Sequence, residues 1–168
     1  SHSRRTSRAI VGGTIDTAVG SASKLNITGD STLSGGVTLA SSLDVGSLSS
    51  NVTLTVNGGL TLDQASDEAL TLFAANNAFS AHDALRFNTG TLGGTGTVVL
   101  APGTNATSLR MFINAGQTLT IGSGVTVKTG AVGTNSSTSI TSGANGTLIN
   151  QGTISSETAS RSLTVNLT

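Results

Sequence analysis

The chain has 168 residues, a length that suits one domain, with 22 Gly, a single Pro, four Phe and no Cys, Trp or Tyr. Ser and Thr supply 52 of its residues, and only 16 are charged, eight of each sign. Absent cysteine excludes a disulfide framework or a Cys-based zinc site, no stretch approaches the ~18 consecutive apolar residues of a membrane helix, and zero net charge leaves no electrostatic footprint for nucleic acid.

Residues 1–22 show weak periodicity and read as a flexible N-terminal arm ahead of a single domain over 23–168. Arg4, Arg5 and Arg8 fall in this arm, so the remainder is mildly acidic. No apolar stretch of ~7–15 residues follows the arginines, so no complete signal peptide is present, and an exported mature chain looks the same.

From Lys24 onward, short runs alternate apolar and polar residues between Gly, Asn, Asp and Ser. Leu25-Asn-Ile27, Val37-Thr-Leu39, Leu43-Asp-Val45, Leu54-Thr-Val56 and Leu60-Thr-Leu62 are examples in the first half. Leu109-Arg-Met111, Leu119-Thr-Ile121, Val125-Thr-Val127, Leu148-Ile-Asn150 and Leu163-Thr-Val165 continue them. Period two places one face inside and the other in water. Such an abundance of Val, Ile, Leu and Thr argues against disorder.

A repeat is visible. Leu54-x-Val56-x-Gly58-x-Leu60-x-Leu62 superimposes on Leu119-x-Ile121-x-Ser123-x-Val125-x-Val127, and partial copies start at Leu25, Leu85 and Leu148. The starts are 29, 31, 34 and 29 residues apart. The expected fold is therefore all-β, a right-handed parallel β-helix (β-solenoid) of about five coils of roughly 30 residues. No coil buries its own inward residues, but stacked coils make continuous ladders of Leu, Ile and Val. Neither end carries an amphipathic capping helix, so unpaired strand edges are expected there. That implies a fragment of a longer solenoid, or a unit that stacks end to end.

The segment 63–87 breaks the rhythm. It gathers three of the four Phe with Asp63, Asp67, Glu68, His82, Asp83 and Arg86, the only concentration of titratable groups. Ser66 with the acidic residues after it resembles a helix start, whereas Ala69–Phe73 suits a strand. Strands joined by a bulging loop are expected. Grouped carboxylates with Arg or His are what glycosidic acid–base chemistry needs, so these six residues are the candidate ligand contacts. The plainer reading is a polar turn on the outside of one coil, and no catalytic, cofactor or metal residue is assigned.

Other motifs favour plain readings. Ser80, His82 and Asp83 have triad residue types but lack a nucleophile elbow. Gly93-Gly-Thr-Gly-Thr97 lacks the Lys of a phosphate loop and the Asp of a calcium-binding repeat, so it reads as a tight turn before Val98. Thr-x-Thr triplets such as Thr53–Thr55 and Thr118–Thr120 do not recur at one phase, as a flat ice-matching array requires. Phe87 and Phe112 are expected inward, and an inward Asn such as Asn150 is expected to form a hydrogen-bonded ladder between coils.

Gly146-Thr-Leu-Ile-Asn-Gln-Gly-Thr-Ile154 and Leu54-Thr-Val-Asn-Gly-Gly-Leu-Thr-Leu62 resemble the repeats of large secreted bacterial β-helix proteins, the filamentous-haemagglutinin-type adhesins and autotransporter passenger domains. The resemblance covers roughly 24–168, rests on composition and coil grammar, and transfers no catalytic residue. It implies a secreted or cell-surface, non-enzymatic structural or adhesive role. The expected partners are then adjacent coils of a parent protein or a second copy end to end, with no cofactor, nucleic acid or membrane insertion. An alternative from another class is a carbohydrate-binding β-helix module attached to a polysaccharide-degrading enzyme.

Overall fold

The computed structural model describes residues 8–17, 24–65, 67–76, 80–105, 108–130 and 137–168. Seventeen strands and no helix occur among them. The first coil holds β1 (Arg8–Val11), β2 (Thr14–Ile15) and β3 (Leu25–Ile27), and the second β4 (Ser31–Ser34), β5 (Val37–Leu39) and β6 (Leu43–Val45). β7 (Leu54–Asn57), β8 (Leu60–Asp63) and β9 (Leu70–Ala74) make the third. In the fourth coil, one bent strand of 21 residues, β10 (His82–Pro102), covers all three faces. β11 (Ser108–Ile113), β12 (Thr118–Ile121) and β13 (Gly124–Thr129) follow, then β14 (Ser137–Ser142), β15 (Thr147–Asn150), β16 (Thr153–Ser155) and a last strand, β17 (Leu163–Asn166). This is the expected parallel β-solenoid of about five turns.

Pairing between these strands is parallel, each strand lying on its counterpart one coil away. The first face stacks β1, β4, β7, the start of β10, β11, β14 and β17. The second stacks β2, β5, β8, the middle of β10, β12 and β15. The third stacks β3, β6, β9, the end of β10, β13 and β16. Inward side chains form columns. Leu54, Leu85, Met111 and Ile140 make one on the first face; Leu43, Leu70, Val98 and Val127 make one on the third. These side chains are almost wholly buried and belong to a single core.

The first-face column steps from Arg8 to Ser31 to Leu54, so the first coils span 23 residues each. Gly12-Gly13, Gly35-Gly36 and Gly58-Gly59 mark the same corner in those coils, all six with φ between 65° and 93°. This left-handed backbone favours glycine because it carries no Cβ. The corner corrects the boundary of the expected arm: residues 8–15 fold onto the stack as β1 and β2, whereas 1–7 and 18–22 lie outside the described residues.

The repeat template is real but does not keep one phase. Leu54 and Leu85 pair on the first face, Leu119 and Leu148 pair on the second, and Leu25 pairs with Leu43 on the third. Two apolar residues, a small turn residue and two more apolar residues describe any corner of a three-faced coil. The match therefore finds corners without saying which corner.

A polar ladder runs beside the core. Asn114 Nδ2 donates to Asn88 Oδ1, Asn88 Nδ2 donates to Asn57 Oδ1, and Asn57 Nδ2 donates to Ser34 Oγ at 3.5 Å. The ladder expected at the inward position Asn150 does not form: Asn150 is exposed in the last full coil and, among the described residues, accepts from the nearby Gly152 amide, whereas the ladder that exists joins the half-buried Asn57, Asn88 and Asn114.

Candidate functional site

The six residues singled out from sequence fall into two groups. Asp63 ends β8 and pairs with Thr95 on the second face. Asp67 and Glu68 lie in the following turn, where Glu68 Oε2 accepts from the Ala65 amide at 2.9 Å and the Glu68 amide donates to the Ala65 carbonyl. This is local turn closure. Ser66, the expected helix start, lies outside the described residues, and 67–76 hold a turn and β9 with no helix.

His82, Asp83 and Arg86 lie instead at the start of β10, on the first face. Alternation is broken here: a register shift between Asp83 and Leu85 leaves Ala84 and Leu85 both buried, so Asp83 and Arg86, three residues apart, both turn outward while Leu85 and Phe87 point into the core. Two unforeseen residues on the next coil complete the group. Arg110, paired with Asp83 across the ladder, donates Nε to Asp83 Oδ1 at 2.5 Å. Arg86 donates Nε and Nη2 to Asp83 Oδ2 at 3.1 and 2.8 Å. Phe112 lies beneath both guanidinium groups, 4.9 Å from Arg86 and 5.7 Å from Arg110, at cation–π distance.

Phe112 therefore corrects the sequence expectation, while Phe87 fulfils it as a fully buried side chain. Met111 and Ile113 are fully buried neighbours of Phe112, so strict alternation sends its ring outward. The same alternation exposes Arg110. Its 27-residue separation from Asp83, about one coil, was the available signal for the pair.

The geometry constrains the chemistry. His82 Nε2 donates to the Val52 carbonyl at 2.9 Å. Burial lowers the imidazole pKa below its ordinary value, although that hydrogen bond and the Asp83 and Asp30 carboxylates act in the opposite direction. Asp83 has a side chain only 10% exposed, with both oxygens held by arginines. A glycosidic acid–base pair needs two carboxyl groups facing one bond, roughly 5–9.5 Å apart. Here Asp83 sits on the first face of the fourth coil, whereas Asp63 ends the second-face strand of the third coil and Asp67 and Glu68 lie between that strand and the third-face strand β9. Among the described residues, no group of three or more His, Asp or Glu is placed to hold a metal ion.

Gly93–Thr97 lies within β10, where Gly94 at φ +80° makes a corner on the way to Val98. The outward threonines form short columns on different faces. Thr14, Thr38 and Thr61 stack on the second face, and Thr97, Thr126 and Thr153 on the third. No family model, curated protein or solved structure matches the chain.

Proposed function

We propose that the chain is a non-enzymatic structural or adhesive β-solenoid module working outside the bacterial cell, as a segment of a longer stack. One observation carries this reading: charged groups tie coil to coil. Lys24–Asp44 at 3.8 Å, Asp83–Arg110 at 2.5 Å and Lys128–Glu157 at 3.0 Å each cross from one coil to the next. Asn57, Asn88 and Asn114 do the same with amides. Polar chemistry used this way builds a wall. The coil grammar's resemblance to secreted bacterial adhesins supports placing that wall outside the cell.

The test has two parts. An antibody to the chain is expected to stain intact source cells or detect the protein in culture medium; signal only after permeabilisation overturns the exterior role. Incubation with a panel of plant and bacterial polysaccharides is expected to release no new reducing ends or unsaturated sugars, and turnover of any of them overturns the non-enzymatic reading.

The His82, Asp83, Arg86, Arg110 and Phe112 group favours a second reading, glycan binding on the outer wall. Arg86 and Arg110 remain 41% and 30% exposed in their side chains while sharing one carboxylate, leaving a net cation beside an aromatic ring. A glycan array with the wild type and the Arg86→Gln/Arg110→Gln variant decides it. Selective binding lost in the variant supports this reading; no binding, or binding unchanged by it, rejects it.

A further inference from the structure

One carboxylate, that of Asp83, holds two guanidinium groups. Arg110 and Arg86 donate to its two oxygens at 2.5 and 2.8 Å, and both cations stand over the ring of Phe112. The carboxylate is the covered member of the group and the arginines are the exposed ones, so solvent meets its positive side. Tying coils together accounts for Arg110, whose bond to Asp83 crosses from β11 to β10. Arg86 lies on the same strand as Asp83, and its ion pair links no coils. Its charge is in excess, and it is held beside a second cation against a repulsion that a further anion would relieve.

The group also keeps donors free. Among the described residues, Arg110 uses only its Nε on Asp83 and Arg86 only its Nε and Nη2, which leaves both Nη groups of Arg110 and the Nη1 of Arg86 for a ligand. The surrounding wall carries hydroxyls. In the outward column, Thr32 and Thr55 precede Arg86, and Thr141 follows Phe112. No carboxylate stands in that column. Asp30, the other acidic group near His82, lies two coils from Asp83 and accepts from the Thr53 amide at 3.0 Å.

Resting on the glycan reading of this wall, we propose that Arg86, Arg110 and Phe112 take the carboxylate of an acidic saccharide, a sugar chain carrying uronic acids that lies along the threonine column. The planar guanidinium edge matches a carboxylate through paired N–H···O bonds, and a carboxylate is what both arginines already bind at Asp83. Asp83 and the Phe112 ring fix both cations before a ligand arrives, which lowers the ordering cost of binding. A chain running along the stack crosses coils about 4.8 Å apart and meets threonine hydroxyls on either side of its acid. Those hydroxyls suit a sugar better than the side chains of a peptide.

Isothermal titration calorimetry of the full chain against soluble polymers tests this. Polygalacturonate, whose only charges are carboxylates, is expected to bind, and to bind more weakly as salt rises from about 0.01 to about 0.15 M. Neutral dextran is expected not to bind. Arg86→Gln/Arg110→Gln is expected to weaken polygalacturonate binding about tenfold or more. Lys24→Gln, which removes a cation beside the third face, is expected to leave it unchanged. The polymer comparison needs only the wild type, so it decides even where the double variant fails to fold. Binding of dextran sulfate or polyglutamate in place of polygalacturonate overturns the proposal, the first by selecting a sulfate and the second a peptide. Polygalacturonate binding that survives the loss of both arginines, or that falls equally in Lys24→Gln, overturns it too. Dextran bound as well as polygalacturonate overturns the acidic ligand and leaves the glycan reading standing, whereas a chain that binds no sugar polymer removes both.

Discussion

The central and terminal coils share one strand grammar but not one environment. Leu54 and Leu85 are fully buried in the middle of the first-face column, whereas Val165, at the end of that column, is 47% exposed. On the second face, Ile121 is fully buried and its partner Asn150 in the next coil is exposed. An inward direction is thus set by alternation within a strand, but burial is conferred by the coil above and the coil below. A solenoid residue borrows its core from its neighbours.

The sharpest way to probe that difference is to delete matched side chains. Phe87→Ala removes a fully buried ring between Val56 and Ile113 and is expected to cost about 3–5 kcal/mol in urea unfolding. Val165→Ala is expected to stay within about 0.5 kcal/mol. Equal losses at both sites would show the last coil to be as well covered as the fourth.

Glycine substitutions make a second pair. Gly94 and Gly13 have nearly the same φ, +80° and +81°, yet a Cβ on Gly94 runs into the Leu62 carbonyl, whereas one on Gly13 meets nothing within 4 Å. Gly13→Ala is expected to show the backbone strain alone, about 1–2 kcal/mol. Gly94→Ala adds a backbone collision and is expected to cost about 3 kcal/mol or more, read as a drop in the thermal midpoint.

The amide ladder gives a third, smaller contrast. Asn88→Ala removes the partner of Asn57 Oδ1 and of Asn114 Nδ2 and is expected to cost about 1–3 kcal/mol. Asn150→Ala, which loses a local contact to Gly152, is expected to change stability little. A harmless Asn88→Ala would show that the ladder is not a staple.

The smallest effect is on pH dependence. Because the folded state lowers the His82 pKa below 6.5, the unfolded chain binds the proton more readily. Stability should therefore decline as pH falls through about 6.5 toward the lowered folded value. Glu157, in the terminal region, has its pKa lowered chiefly by its hydrogen bond to Lys128, then by Ser155. Its contribution is present above 4.5 and lost as pH falls through its lower folded value. His82→Gln is expected to remove only the upper part of the decline, seen by comparing urea midpoints at pH 7.5 and 5.5 with the wild type. An unchanged difference between those midpoints would rule out His82 as its source.

Much of the architecture was legible because alternation is local. Leu54-Thr-Val56 and Leu119-Thr-Ile121 declare an inward and an outward side without reference to anything distant. The phase of the stack was not legible from the same residues, since every corner uses the same grammar. Gly-Gly pairs at 12, 35 and 58, spaced 23 apart, were a better ruler for the first coils than the apolar template. Of the candidate site, His82, Asp83 and Arg86 were found because they are close in sequence. Arg110 and Phe112 were missed as members because one coil separates them from Asp83, and Asp63, Asp67 and Glu68 were included because sequence proximity hides a corner.

By itself, then, the order of residues determined that the chain forms short strands, which of their side chains turn inward, and that those strands stack as a solenoid. Short-range sterics and the two-residue period of a strand suffice for that. Only the tertiary structure decided which coil lies on which, where Asp83 finds its second arginine, and that Val165 stands half in water while Leu85 does not. Those outcomes depend on contacts between residues some 20–30 positions apart. Such contacts are set by how many residues each corner and loop consumes, a quantity summed along the whole coil.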